Sequence, residues 1–340
     1  MKYIYGIVPL NGVAYDYDDL AFAAPDGRFQ MVRNGDMAAV ISDATFDSLN
    51  DLTRGDVMRY LTRHQEAIEE IMNFSAVLPV KFGTLLENEE QVRTLLSLGH
   101  DEFMRTSRAI GVCVEFDVAV TWNPAEVFAQ IAAAPQIAAL KAQVEALPEE
   151  QRLRASVGVG QVVKQAFDEQ RNATRDALVQ ELGKVVKRWQ LNPLMDDSMV
   201  MNVACLVADD QLSPLEAAVM ALDKQYEDRL QFRLIGPLPP YSFATVEARV
   251  VHDAHLDAAC RVLGLPDATC TPEQVKHAFY QKARSMHPDA AGNDPAAQSA
   301  FVRLTEAYRL MTDVAQQTPA IPFDNSNAPR ILVRVGGANQ

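Results

Sequence analysis

The spacing of apolar residues divides the chain into short strands, amphipathic helices and a final helical hairpin. YIYGIV (3–8) and MAAVIS (37–42) are short apolar runs that predict buried strands. VLPVKF (77–82) predicts a third, with Pro79 confining it to an edge or a bulge. VCVEFDVAV (112–120) alternates strictly: Val112, Val114, Phe116, Val118 and Val120 face one way, and Cys113, Glu115, Asp117 and Ala119 the other. Such a strand has one face buried and one face wet or covered differently. Between these runs, residues 54–73 place Val57, Leu61, Ile68, Ile71 and Met72 near one helical stripe. Asn88 followed by Gln91 gives the next helix a capping pattern. The order strand, strand, helix, strand, helix, strand predicts a small antiparallel sheet with helices on one face.

Residues 124–192 read as wholly helical, rich in alanine and punctuated by Pro135 and Pro148. The mixed charges from Val162 to Trp189 predict a long, mostly solvated helix. A second α+β unit follows: a strand at MVMNVACLVA (199–208), a capping box at Ser213-Pro214-Leu215-Glu216 opening a helix to about Arg229, a strand at QFRLIG (231–236) and a rigid turn at GPLPPYSF (236–243). Residues 252–313 read as all helical. Thr271-Pro272-Glu273-Gln274 is a capping box for a helix with Val275, Ala278, Phe279, Ala283 and Met286 on one face. That helix must end before Pro288. Asp294-Pro295 opens a partner helix with Phe301, Leu304, Ala307, Tyr308 and Met311 in a stripe, so the two form an antiparallel hairpin with Phe279 and Phe301 as core anchors. Ala259, Val262, Leu263 and Leu265 supply a short helix over the seam. After Gln316 the chain is rich in Pro and Asn and reads as a flexible tail, with ILVRV the one strand candidate. The fold class is therefore α+β: an N-terminal α+β domain (1–122), a helical segment with a second α+β domain (123–249), a helical hairpin domain (252–313) and a tail (314–340).

Charge and composition narrow the function. A net charge of −14 over 340 residues argues against nucleic-acid partners and against docking on anionic membranes, and fits a soluble cytoplasmic protein. The four cysteines are too sparse for a disulfide framework and read as reduced, packed thiols. The N-terminus makes a poor signal peptide, and no apolar run is long enough to span a membrane. His64 sits in a helix without a metal partner, His100-Asp101 reads as a helix cap, and His252 with His255 offers too few convergent ligands for zinc. No phosphate loop and no nucleophile elbow occur. The expectation is a protein without cofactor or metal, and not an enzyme.

At the tip of the predicted hairpin stands His287-Pro288-Asp289. Its context, VLGL, TPEQVKHAFYQKARSMHPD, a Gly/Asn loop and FVRLTEAYRLMTD, resembles the J-domain of the DnaJ co-chaperone family. The resemblance implies that this tripeptide stimulates ATP hydrolysis by a DnaK-type chaperone. The side chains suit that role: Pro288 pre-sets a turn, Asp289 can pair with an arginine, and His287 can donate or accept near neutral pH. The resemblance also implies a basic face on the preceding helix, here Lys276, Lys282 and Arg284 with His277 nearby. That face is thinner than usual, and Ala290 stands where the family commonly has lysine, so electrostatic steering should be weaker.

Four further stretches, YIYGIV, VLPVKFGTLLENEEQVRTLL, MVMNVACLVADD and LIGPLPPYSFATVE, resemble the gas vesicle protein F/L family in order and spacing. Leu238 replaces a tryptophan usual in that family, and RASVGVGQVVKQ (154–165) is a degraded match to another of its segments. The resemblance implies two α+β domains, the first a variant of the ferredoxin-like fold. It implies a role in gas vesicle assembly through contacts with the small hydrophobic shell protein or with other accessory proteins. Pro79, Gly83, Gly236, Pro237, Pro239 and Pro240 read as backbone-shaping residues, and Tyr241 as either core or interface. Three readings follow: an assembly factor that recruits a chaperone, a minor component of the vesicle wall with a J-like docking module, or a small-molecule-binding regulatory protein.

Overall fold

The computed structural model describes residues 1–10, 28–266, 270–286, 295–317 and 330–336. The chain forms two compact units, each assembled from separated stretches: Met1–Gln65, Val80–Met104 and Val246–Val335 in one, Glu66–Pro79, Arg105–Thr245 and Gly336–Gln340 in the other.

The first unit opens with β1 (Lys2–Pro9), β2 (Phe29–Asn34) and β3 (Met37–Asp43). Both β1 and β2 pair antiparallel with β3. Gly35, at φ 63°, supplies the left-handed residue that the β2–β3 turn needs. Helix α1 (Arg54–Met72) buries Tyr60, His64, Ala67, Ile68 and Ile71, while Leu61 is 39% exposed. The stripe is thus rotated from the one predicted through Val57 and Leu61. Aromatic partners decide it: the Tyr3 ring lies 5.6 Å from Tyr60 and 5.7 Å from His64. VLPVKF contributes only the two-residue strand β4 (Leu78–Pro79), followed by β5 (Leu85–Leu86), which pairs with β1. Helix α2 (Glu89–Ile110) is capped as the sequence predicts: Asn88 Oδ1 accepts from the Gln91 N–H at 3.0 Å. His100 is not a cap. It lies inside α2, and its ring contacts Asp36 at 2.6 Å and Asp101 at 3.2 Å.

The second unit holds β6 (Val114–Thr121), α3 (Pro124–Ala133), α4 (Pro135–Glu145), α5 (Glu149–Leu182), β7 (Arg188–Leu191), β8 (Met199–Val207), α6 (Leu212–Tyr226), β9 (Gln231–Leu238) and α7 (Tyr241–Ala244). Its sheet runs β7–β8–β6–β9, antiparallel throughout. Three expectations are corrected here. Val112 is 80% exposed and precedes the strand, because Gly111 (φ 61°) ends the preceding helix just before it. Residues 188–191 are a strand and not helix: β8 has an open edge, which β7 takes. The capping box at Ser213 does not form: α6 starts at Leu212 without a side-chain cap bond, after a 3-10 turn (Asp209–Gln211) in which Gln211 Oε1 accepts from the Ala208 N–H at 3.1 Å, and the helix ends at Tyr226. The core gathers Phe116, Val118 and Val120 of β6, Phe167 and Leu178 of α5, Val203 and Cys205 of β8, and Leu215 of α6.

The chain then returns to the first unit. β10 (Val246–Val251) leads into α8 (Asp253–Leu263), α9 (Pro272–Met286) and α10 (Pro295–Gln317), and β11 (Arg330–Val335) pairs antiparallel with β10. The ILVRV segment, read from sequence as the one strand in a flexible tail, is therefore half of a ribbon that closes the helical module. Val251 and Leu332 join Leu256, Cys260, Val275, Leu304 and Met311 in a single apolar cluster.

Candidate functional site

Helix α9 starts where the sequence says. Thr271 Oγ1 accepts from the Gln274 N–H at 3.3 Å, and Gln274 Oε1 accepts from the Thr271 N–H at 2.8 Å, a reciprocal capping box. Val275 is buried, Ala278, Phe279 and Ala283 pack on the cluster, and the Phe279 ring stacks on Tyr308 with centroids 4.3 Å apart. Burial of that face turns the opposite face outward. Lys276, Tyr280 and Arg284, spaced by four, are all exposed, with Tyr280 at 53%. The sequence reading did not single out Tyr280; the helical phase puts it outside. Lys282, named for the same basic face, is half-buried. Its Nζ donates to the carbonyl oxygen of Val262 in the last turn of α8, where a cation also opposes the negative helix end. His287, Pro288, Asp289 and Ala290, with the side chain of Met286, lie outside the described residues.

The first of the two proline- and glycine-bearing motifs is a laced loop. The Val80 N–H donates to Tyr5 O (2.9 Å), the Gly83 N–H to the Tyr3 hydroxyl (3.3 Å), and the Ile4 N–H to Thr84 O (3.1 Å). Tyr3 Oη lies 3.1 Å from His64 Nδ1, and the ring also bonds the Val80 backbone. Burial drives the His64 pKa down to about 4, so the ring is neutral and one tautomer serves both partners. His64 is thus a structural pin for the loop. Pro79 is buried in β4, and Gly83 sits at φ 82° with its Cα against the Leu49 side chain.

The second motif, in the other unit, wraps the end of β9. Gly236 adopts φ 156° against the Phe116 ring, Pro237 follows a cis bond, and Pro239 and Pro240 are buried. Tyr241 is half-buried, and burial, with Glu69 and Glu115 nearby, pushes its phenol pKa up. The sequence missed the anchor of this segment. Glu115, 2% exposed on β6, accepts from the Ser242 N–H at 2.7 Å and contacts the Ser242 hydroxyl at 2.8 Å. Desolvation raises its pKa to about 7 despite those bonds. Alternation along β6 did place Glu115 on the face covered differently; only the fold supplies the cover.

Among the described residues no group of three or more His, Cys, Asp or Glu is placed to hold a metal ion. Nor is any helix there long and apolar enough to cross a membrane. What the chain offers is a scaffold with shaped loops and an exposed basic–aromatic stripe on α9. The chain belongs to the gas vesicle synthesis protein GvpL/GvpF family, whose family model matches residues 1–245, and a DnaJ domain matches residues 260–318. Gas vesicle protein F of Streptomyces sp. (strain CB03234) is 26% identical over 246 residues, covering 71% of this chain and 98% of that protein. The crystal structure of GvpF from Microcystis aeruginosa superposes with a TM-score of 0.59 at 21% identity, covering 72% of this chain and 98% of the other; that of GvpF from Anabaena sp. PCC7120 gives 0.57 at 21%, covering 72% and 95%. Human DnaJ homolog subfamily C member 4 is 41% identical over 51 residues, 15% of this chain and 21% of that protein. The α+β fold and the terminal J-domain that the sequence resemblances imply are both present.

Proposed function

We propose that this protein is an assembly factor for gas vesicles that acts in the cytoplasm: its GvpL/GvpF body binds shell or accessory gas vesicle proteins, and its J-domain recruits a DnaK-type chaperone to them. The observation that carries the reading is the joining of both modules in one chain, residues 1–245 and 260–318. A shell subunit that walls off water exposes apolar surface before it assembles, and such surface aggregates. Tethering a chaperone recruiter to the client's binder raises the chaperone's local concentration there. The exposed Lys276, Tyr280 and Arg284 stripe supports an acidic chaperone surface as the docking partner, with His287, Pro288 and Asp289 as the stimulating loop. In this reading the chain catalyses nothing itself and needs no cofactor. The test is His287→Gln in the full chain, reading chaperone ATPase and vesicle yield together. Loss of both supports recruitment; no change in either refutes it. Retention of the protein on washed, intact vesicles in stoichiometric amount would instead favour a minor component of the wall.

A further inference from the structure

We infer that the edge of β10 is a docking site for an extended polypeptide segment of a partner protein, which binds by adding a strand. Backbone direction divides the peptide groups of β10 between two sides. The Thr245 carbonyl accepts from Gly336 N–H, on the β11 side, whereas the Val246 carbonyl accepts from Lys81 N–H, on the opposite side. Strand alternation then aims the N–H and C=O groups of Glu247, Arg249 and Val251 at β11, and those of Ala248 and Val250 away from it. The chain at Lys81 meets β10 at a single bridge, Val80 with Val246, and then turns back: the Thr84 N–H donates to Lys81 O. Past that bridge, Ala248 and Val250 have no backbone hydrogen-bond partner among the described residues.

These groups do not open onto a flat surface. Ala248 and Val250 line a cleft of about 810 Å³ that also touches Leu85 of β5 and Ser48 and Asn50. An unpaired strand edge is a template for another strand, and a protein normally covers or blunts it. Here it is recessed, and short main-chain donors and acceptors in alternation are what an extended peptide recognises in strand addition. The rim is balanced in charge, with Lys81, Arg249 and Arg334 against Glu87, Glu247 and Asp313, so neither an anion such as a nucleotide nor a cation is selected. The Lys81–Glu247 ion pair (2.9 Å) already neutralises one end. The fitting occupant is an uncharged extended segment, held by its backbone and tolerant of sequence. This inference stands apart from the vesicle and chaperone reading, since it uses only main-chain geometry.

The test uses the full chain and a fluorescein-labelled octapeptide alternating valine and threonine. Binding should weaken at least about tenfold when alternate peptide nitrogens are N-methylated, which removes the hydrogen bonds and little else. Ala248→Pro deletes one cleft-facing N–H and leaves the β11 ladder intact, because proline is tolerated where a strand N–H faces outward; it should weaken binding similarly. Hydrogen exchange on the unaltered chain guards against a folding defect in that variant. The Ala248 and Val250 amides should exchange faster than those of Glu247 and Arg249, and should slow when the peptide is added. Equal affinity for the methylated peptide, or unchanged exchange at saturating peptide, overturns the inference. So does protection of Ala248 and Val250 that grows with protein concentration alone, since a second copy would then hold the edge.

Discussion

Glu115→Gln should remove a pH dependence from the second unit and raise its stability in mild alkali. The carboxyl is 2% exposed and its pKa is raised from 4.5 to about 7, by burial first, with Asp117 adding to it and the two Ser242 bonds opposing. Between those values the folded state keeps a proton that the unfolded state has released. Stability therefore falls as the pH rises from about 4.5 to about 7, then levels. The window corresponds to roughly 3 kcal/mol. Glutamine keeps an oxygen for the Ser242 N–H and offers an NH₂ to the hydroxyl, so the geometry survives and the titration goes. Asp117, whose pKa burial also raises, contributes a slope of the same sign in both proteins. The assay is urea unfolding at pH 5, 6, 7 and 8. Tryptophan fluorescence reports this unit alone, because both tryptophans, Trp122 and Trp189, belong to it. Wild type and variant should be closest in stability at pH 5 and diverge by pH 8 in the variant's favour. Parallel pH slopes for the two proteins would refute a buried, titrating Glu115.

Three other outcomes are expected. His64, with its pKa depressed to about 4, should show no imidazole titration by NMR above pH 5, and the first unit should lose stability as the pH falls from about 6.5 towards 4, by roughly 3 kcal/mol in all. Gly83→Ala should lower the melting temperature more than Gly35→Ala: both residues have positive φ, which costs a β-carbon roughly 1 kcal/mol, but only at Gly83 does the new carbon also meet the Leu49 side chain. Lys282→Met should weaken the helical module by roughly 0.5–1 kcal/mol through loss of its bond to Val262 O and leave chaperone stimulation intact, whereas Lys276→Ala with Arg284→Ala should reduce stimulation and spare the melting temperature.

Much of the architecture is legible along the chain because local rules and the tertiary fold agree there. The caps at Asn88 and Thr271 form because each side-chain oxygen accepts from the backbone N–H three residues on. The strands at 3–8, 37–42 and 199–208 carry apolar runs too short for helices. The failures have a common cause, namely partners remote in sequence. Residues 188–191 carry helical context and become a strand because β8 offers its edge. The Leu61 stripe yields to Tyr60 and His64 because aromatic residues of β1 claim them.

The sequence alone determined that this chain has α+β units followed by a helical hairpin, and which families those segments resemble, because periodicity, capping and turn residues act within a few positions of one another. It also placed His287, Pro288 and Asp289 at the end of a helix that must stop. Only the tertiary structure decided which polar groups are buried and which edges are open. Glu115 meets Ser242 across 127 positions, and Tyr3 meets His64 across 61. The ribbon of β10 and β11 joins segments on either side of the entire J-domain. Desolvation, strand pairing and unpaired edges depend on what folding brings from far along the chain, and no local pattern encodes that.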